Sequence, residues 1–276
     1  MKTAIGIFLF LLAAAAPVLA AEKWEFYFKN GVEASKNGDW ARAIQNLKTA
    51  AELKPGQGEI YTDLSLAYTE TKDFGNALVY ARQATESAPN SAAGFLATGL
   101  AQENSGHIGE ALTAYRQAAE LEPANVDILL TLGNLYGRQG QFEGAIGSYE
   151  KVVALDPKHL FAHSNLGYVY EEKGELDKAI GYYKKAADLA PGDPLTWYDL
   201  GAAQSRKGDH AGAVESLEKS FKLDPKQYRT CMSLALAHEE AGNLDKSSEY
   251  YVKAMGLTDD PEIKDAILRQ VSRTTE

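Results

Sequence analysis

Six of the nine prolines in this chain stand in unbroken register. Pro55, Pro89, Pro123, Pro157, Pro191 and Pro225 are each 34 residues from the next. A fixed period of that size marks a repeat architecture, in which one supersecondary unit recurs and buries its apolar face only against its neighbours. What 276 residues fold into therefore reduces to what 34 residues fold into. With proline at position 32, seven frames run 24–57, 58–91, 92–125, 126–159, 160–193, 194–227 and 228–261.

Other columns align with the prolines. Position 8 reads Gly31, Ser65, Gly99, Gly133, Gly167, Gly201 and Ala235, and position 20 reads Ala43, Ala77, Ala111, Ala145, Ala179, Ala213 and Ser247. Apolar residues at positions 4, 7, 8 and 11, and again at 20, 24 and 27, fall three and four apart, so each frame holds two helices and the chain is all-α. Small residues at 8 and 20 let the two backbones approach. Larger ones such as Tyr27, Tyr136, Tyr170, Phe142, Tyr149, Tyr183 and Trp197 fill the space between them. Position 15 is glycine at Gly38, Gly106, Gly140, Gly174, Gly208 and Gly242, which suits a turn with positive φ. Asp39, Asp73, Asp209 and Asn243 follow that position and can cap the second helix. Asp193-Pro194 reads as an N-cap followed by proline at the first helical position. The second frame departs most, with Ser65 and Lys72 replacing glycines and Ala81 an aromatic, and is expected to pack least tightly. After Pro261, the apolar stripe Ile263, Ala266, Ile267 and Val271 within 262–276 reads as a capping helix over the last repeat, with a frayed tail.

These columns resemble the tetratricopeptide repeat (TPR) family, from residue 24 to residue 261. The resemblance implies a right-handed superhelical solenoid of seven helix-turn-helix repeats plus the capping helix. It also implies a concave groove lined by the first helix of each repeat at positions 5, 9, 12 and 13, with 2 and 6 at the edges.

Segment 1–20, MKTAIGIFLFLLAAAAPVLA, belongs to another class. Lys2, thirteen apolar residues from Ala4 to Ala16, Pro17 and a small-residue ending at Ala20 have the layout of a cleavable signal peptide. An uncleaved membrane anchor is the alternative, although thirteen residues fall short of the ~20 that span a bilayer. Cleavage after Ala20 removes one lysine and no acid, which takes the formal charge from −10 to −11. That acidic balance argues against a nucleic-acid partner, because phosphate binding needs clustered cations. The single cysteine, Cys231, allows no internal disulfide, and no Asn-x-Ser/Thr sequence occurs. A bacterial periplasmic or secreted location is expected.

No residue pattern in the chain points to catalysis, a metal or another cofactor. Cys231 occupies a packing column. His159 and His163 are four apart, but Leu160 stands where a zinc-protease pattern has glutamate, and His163 is again in a packing column. His107, His210 and His238 fall at turn or packing positions, and the short GQG at 56–58 lacks the rest of a phosphate loop. Glu103, Glu171 and Glu172 read as solvated rim charges.

The groove columns are more informative. Phe28, Leu96, Leu130, Tyr198 and Met232 stand at position 5, and Val32, Leu66, Leu100, Asn134, Tyr168 and Leu236 at position 9. Apolar residues outside the intra-repeat packing columns mark either a binding surface or contacts between neighbouring repeats. Position 13 alternates in sign, from Lys36 and Glu70 to Arg138, Glu172, Arg206 and Glu240, which suits a partner with its own charge pattern. The carboxylate clamp known in some TPR members is not reproduced. Asn134 and Asn165 fit its two asparagine columns, but Leu130, Leu195 and Asp199 stand where its cations belong. The two asparagines remain candidates for gripping a peptide backbone. The expected function is an interaction scaffold of the cell envelope, holding a helix or extended segment of another envelope or secreted protein, or a second copy of itself. The alternative is a small-ligand carrier or a non-catalytic subunit of an envelope enzyme or export complex.

Overall fold

The computed structural model describes residues 23–274, so segment 1–20 lies outside the described residues. Among them are fifteen α-helices and no strand. Helix α1 covers residues 23–36. Then come α2 (Trp40–Leu53), α3 (Gly58–Glu70), α4 (Phe74–Ser87), α5 (Ala92–Asn104), α6 (Ile108–Leu121), α7 (Val126–Arg138) and α8 (Phe142–Leu155). The second half holds α9 (Leu160–Glu172), α10 (Leu176–Leu189), α11 (Pro194–Lys207), α12 (His210–Leu223), α13 (Tyr228–Glu240), α14 (Leu244–Gly256) and α15 (Pro261–Thr274). The chain divides within α7 into two compact units, one ending at Leu132 and the other beginning at Gly133. Each unit is a stack of helix-turn-helix repeats.

Glycine and proline set the helix boundaries. Gly38, Gly106, Gly140, Gly174, Gly208 and Gly242 turn the chain between paired helices with φ from 67° to 87°. Asp39, Asp73 and Asp209 each accept a backbone N–H three residues on, whereas Asn243 holds the N-cap position without a side-chain bond. Asp193 accepts from the Leu195 N–H, with Pro194 opening α11. At the other end, Lys54, Ala88, Glu122, Asp156, Ala190 and Asp224 precede the register prolines and leave the helical region, with ψ from 64° to 95°. The proline ring clashes with a helical conformation of the residue before it, so each second helix stops two residues before its proline.

Within a repeat, position 8 meets position 24. A Cβ added to Gly133 would lie 2.7 Å from the Tyr149 ring, and one added to Gly167 would lie 2.6 Å from the Tyr183 ring. Gly31 and Gly201 meet Leu47 and Leu217 in the same way. The second repeat exchanges both partners. Ala81 stands where the bulky residue would be, and Ser65 replaces the glycine. Ser65 is fully buried, and its hydroxyl donates to the Ala77 carbonyl at 3.0 Å. Tyr68 and Tyr80 stack with ring centroids 5.5 Å apart. This repeat is closed rather than loose, because the smaller side chain on one helix is matched by a larger one on the other. Lys72 takes φ 61°, the left-handed turn its glycine counterparts use.

In the first unit Ala43, Leu47, Ala50, Ile60, Leu64 and Ala67 form one core cluster. At the end of the second unit, Ile267 of α15 is 2% exposed against Cys231, Ala235, Tyr251 and Ala254, with Ile263 and Val271 beside it. Burying such a side chain contributes about 2 kcal/mol, so α15 covers an apolar face that would otherwise meet water.

Candidate functional site

Positions 2, 5, 6 and 9 of each first helix are the columns from which groove residues are expected. In the first unit these positions enclose an apolar cleft of about 290 Å³. Helix α5 contributes Ala93, Leu96, Ala97 and Leu100, α3 contributes Thr62 and Leu66, and α7 contributes Thr131. Tyr115 of α6 forms part of the lining. Its ring fills the space beside Gly99, and its hydroxyl donates to Glu103 at 2.8 Å. Three of the expected groove residues, Leu66, Leu96 and Leu100, thus meet in one place. Leu130 is half-buried outside this lining. Phe28 and Val32 are half-buried, with Phe28 packed beside Trp24 on the core of the first unit.

The second unit distributes its candidates differently. Tyr168 and Leu236 are 53% and 47% exposed and present apolar surface to solvent. Tyr198 packs against the cluster of Ala213, Leu217, Leu234 and Ala237, and Met232 packs against that of Cys231 and Tyr251. These two position-5 residues spend their apolar surface on the core of their own repeat and of the element that follows it. Asn134 and Asn165 do come together. Asn165 Nδ2 donates to Asn134 Oδ1 at 3.3 Å, and the Tyr149 hydroxyl donates to the same oxygen at 2.7 Å. The Asn134 acceptor is therefore occupied from within, which leaves its Nδ2 and the Asn165 Oδ1 for a bound chain.

One set of contacts was missed by reading columns for size alone. Tyr183 donates to Glu171 at 2.9 Å and Tyr251 to Glu239 at 2.7 Å, each twelve residues apart, as Tyr115 and Glu103 are. Glu171 also accepts from Arg206 at 2.8 Å. Glu103 and Glu171 are thus tied to the tyrosine beneath them rather than standing as free rim charges. The signal was present as tyrosine at position 24 paired with glutamate at position 12. Where position 12 is Gly137, Tyr149 turns to Asn134 instead. Burial, with Glu171 close to the ring oxygen, pushes the Tyr183 hydroxyl well above the ordinary tyrosine range, so it remains a donor.

Two aspartates at position 6 carry the strongest carboxylate shifts. Burial, then Glu59, pushes Asp63 up to about 6. Burial, then Glu171 and Asp193, pushes Asp199 up to about 6. An aspartate beside glutamate repels an incoming carboxylate, in keeping with the missing clamp. The remaining titratable candidates serve packing. His159 Nδ1 accepts from the Ala162 N–H at the start of α9, and buried His163 places Nε2 2.9 Å from the Pro157 carbonyl. His238 is buried and stacks on Tyr250 at 5.6 Å, and burial lowers its pKa. Cys231 is fully buried, and burial pushes its thiol up, away from the reactive thiolate.

Comparison with known proteins agrees with this geometry. Models of the tetratricopeptide repeat match residues 28–92, 130–194, 195–227 and 228–261, and a TPR repeat model matches residues 104–140. No curated protein matches the chain. Among solved structures, MamA is 29% identical over 62% of this chain and 96% of its own, with a TM-score of 0.54. The C-terminal part of a TPR repeat-containing protein from Cytophaga hutchinsonii is 19% identical over 86% of this chain and 98% of its own, with a TM-score of 0.75. YrrB, described as a TPR protein with an unusual peptide-binding site, is 20% identical over 67% of this chain and 95% of its own, with a TM-score of 0.58. The 34-residue frame, the paired helices it folds into and these matches lead to one conclusion: the chain belongs to the tetratricopeptide repeat family.

Proposed function

We propose that this protein is an exported, non-catalytic interaction scaffold of a bacterial cell envelope, which holds an apolar segment of another protein on the first-helix face of its repeats. The observation that carries the reading is the cleft of the first unit, where Leu66, Leu96 and Leu100 line a depression whose walls are almost wholly apolar. Groups of that kind receive the apolar face of a helix or the alternate side chains of an extended peptide. At about 290 Å³ the cleft lies at the lower limit of the ~300–1,000 Å³ usual for small-molecule sites, so it suits one or two side chains better than a cofactor. The peptide-binding site described for YrrB lends support by analogy of fold. The leader-like composition of 1–20 supports export, and among the described residues no helix is long and apolar enough to cross a membrane.

Affinity capture from envelope extract tests the reading, with residues 21–276 and a Leu66→Glu/Leu100→Glu variant as paired baits. One protein retained by the first and lost from the second is the expected result. Identical captures from both would place binding elsewhere. The intact mass of the exported protein, short of residues 1–20, tests the export reading separately.

A further inference from the structure

Helix α3, one wall of the cleft, carries two carboxylates close in sequence to its lining residues. In α5, positions 2, 5, 6 and 9 are Ala93, Leu96, Ala97 and Leu100, and all four line the cleft. The same positions in α3 are Glu59, Thr62, Asp63 and Leu66, of which Thr62 and Leu66 line it. Position 6 in the next two first helices is Ala97 and Thr131, both in the lining. Asp63 thus takes the place in α3 that small uncharged residues take in α5 and α7. It is half-buried, and among the described residues it makes neither a hydrogen bond nor an ion pair. The charge that acts on it is another carboxylate, Glu59. Lys29, at position 6 of α1, is exposed and forms no ion pair with it. A partly desolvated carboxylate without a partner is unfavourable in the free protein. A cation brought in by a ligand would remove that penalty, so the arrangement is complementary to positive charge beside an apolar group.

Resting on the groove reading above, we propose that the occupant of this cleft is a peptide segment with a lysine or arginine next to an apolar residue. The apolar side chain enters among Leu66, Leu96 and Leu100, and the cation pairs with Asp63, with Glu59 adding to the field. The pairing takes place at a water-poor edge, where a charge pair contributes more than on an open surface. It also selects against acidic segments.

A random twelve-residue peptide library displayed on phage, panned on the full-length protein, tests the proposal. Clones are scored for loss of binding to Leu100→Glu and then measured as free peptides against Asp63→Asn, Asp63→Glu and Asp199→Asn. The expected result is enrichment of Lys or Arg beside an apolar residue. Such peptides weaken about tenfold or more on Asp63→Asn, weaken less on Asp63→Glu, and are indifferent to Asp199→Asn in the other unit. Circular dichroism of each variant separates lost binding from lost fold. Clones that depend on Leu100 yet lack a basic residue and tolerate Asp63→Asn would overturn the cation pairing and leave the groove reading standing. Basic clones that bind Leu100→Glu and Asp63→Asn equally well would reflect only the acidity of the chain, and would overturn the pairing too. If no clone depends on Leu100, the groove reading fails and this proposal fails with it.

Discussion

Asp63 is held half out of water with no cation beside it, and this leaves a trace in stability that does not depend on any partner. Its native carboxyl keeps a proton up to about pH 6, whereas the unfolded chain releases it near the ordinary aspartate value of 3.8. Between those values the native state binds more protons, so this group makes the fold more stable as pH falls from 7 towards 4. Asp63→Asn should therefore stabilise the protein at pH 7.5 by about 1 kcal/mol, allowing for partial screening by solvent. The gain should shrink as pH falls through 6 and vanish near pH 4. Urea melts at pH 7.5 and pH 4.5 measure it, and a gain that is equal at both would mean Asp63 is not desolvated. Asp199, also raised to about 6, has the same sign in the second unit. Lys72 is a second residue at odds with its column. With φ 61° it occupies a conformation that costs a side-chain-bearing residue about 1 kcal/mol, so Lys72→Gly should stabilise by roughly 0.5–1 kcal/mol. An unchanged midpoint in the same melts would show that the turn is not strained. The departure of Lys72 from the glycine column was legible in the sequence. That the backbone would keep the left-handed turn regardless was not, since this depends on the helices either side holding it.

Helix pairs close through matched sizes rather than through any one residue. Glycine at position 8 and a ring at position 24 form a lock in the fifth repeat, where Gly167 lies against Tyr183. Gly167→Leu should destabilise by about 2 kcal/mol or more, since the ring it meets is buried and has little room to move. A thermal melt of this variant beside Gly181→Leu, where an added Cβ meets nothing within 4 Å, separates crowding from simple loss of glycine. Equal effects would contradict the lock. The helix spans were readable from glycine and proline because these residues act on their own backbone. In the sequence the Ser65–Ala81 exchange shows only as a departure that suggests looseness, because reading columns one at a time hides compensation between them. The tyrosine–glutamate ties were overlooked for the same reason. A size column and a charge column met in space, and only the twelve-residue spacing linked them.

For the whole molecule, a strict period makes seven repeats and a capping helix legible, because each repeat specifies its own turn and meets only its neighbours. The candidate site is less legible. Leu66, Leu96 and Leu100 fall on one face by register alone, yet whether that face is hollow depends on the bulk of residues from α3, α5, α6 and α7 together. Ala93, Ala97 and Thr131 make the hollow by being small. Tyr198 and Met232 stand in the same column as Leu96 but fill their own surroundings instead. Equivalent positions therefore line a cleft in one unit and pack in the other.

On the groove reading, a partner sits on the first-helix face of the first unit. Photo-crosslinking in the producing cell tests it most directly, with p-benzoylphenylalanine placed at Leu100 in the cleft or at Val79, an exposed residue of α4. The expected result is a discrete crosslinked species from position 100 that is absent from position 79 and is abolished by Leu66→Glu. Crosslinks from position 79 alone, or the same species from both, would contradict it and move the binding surface to the second helices.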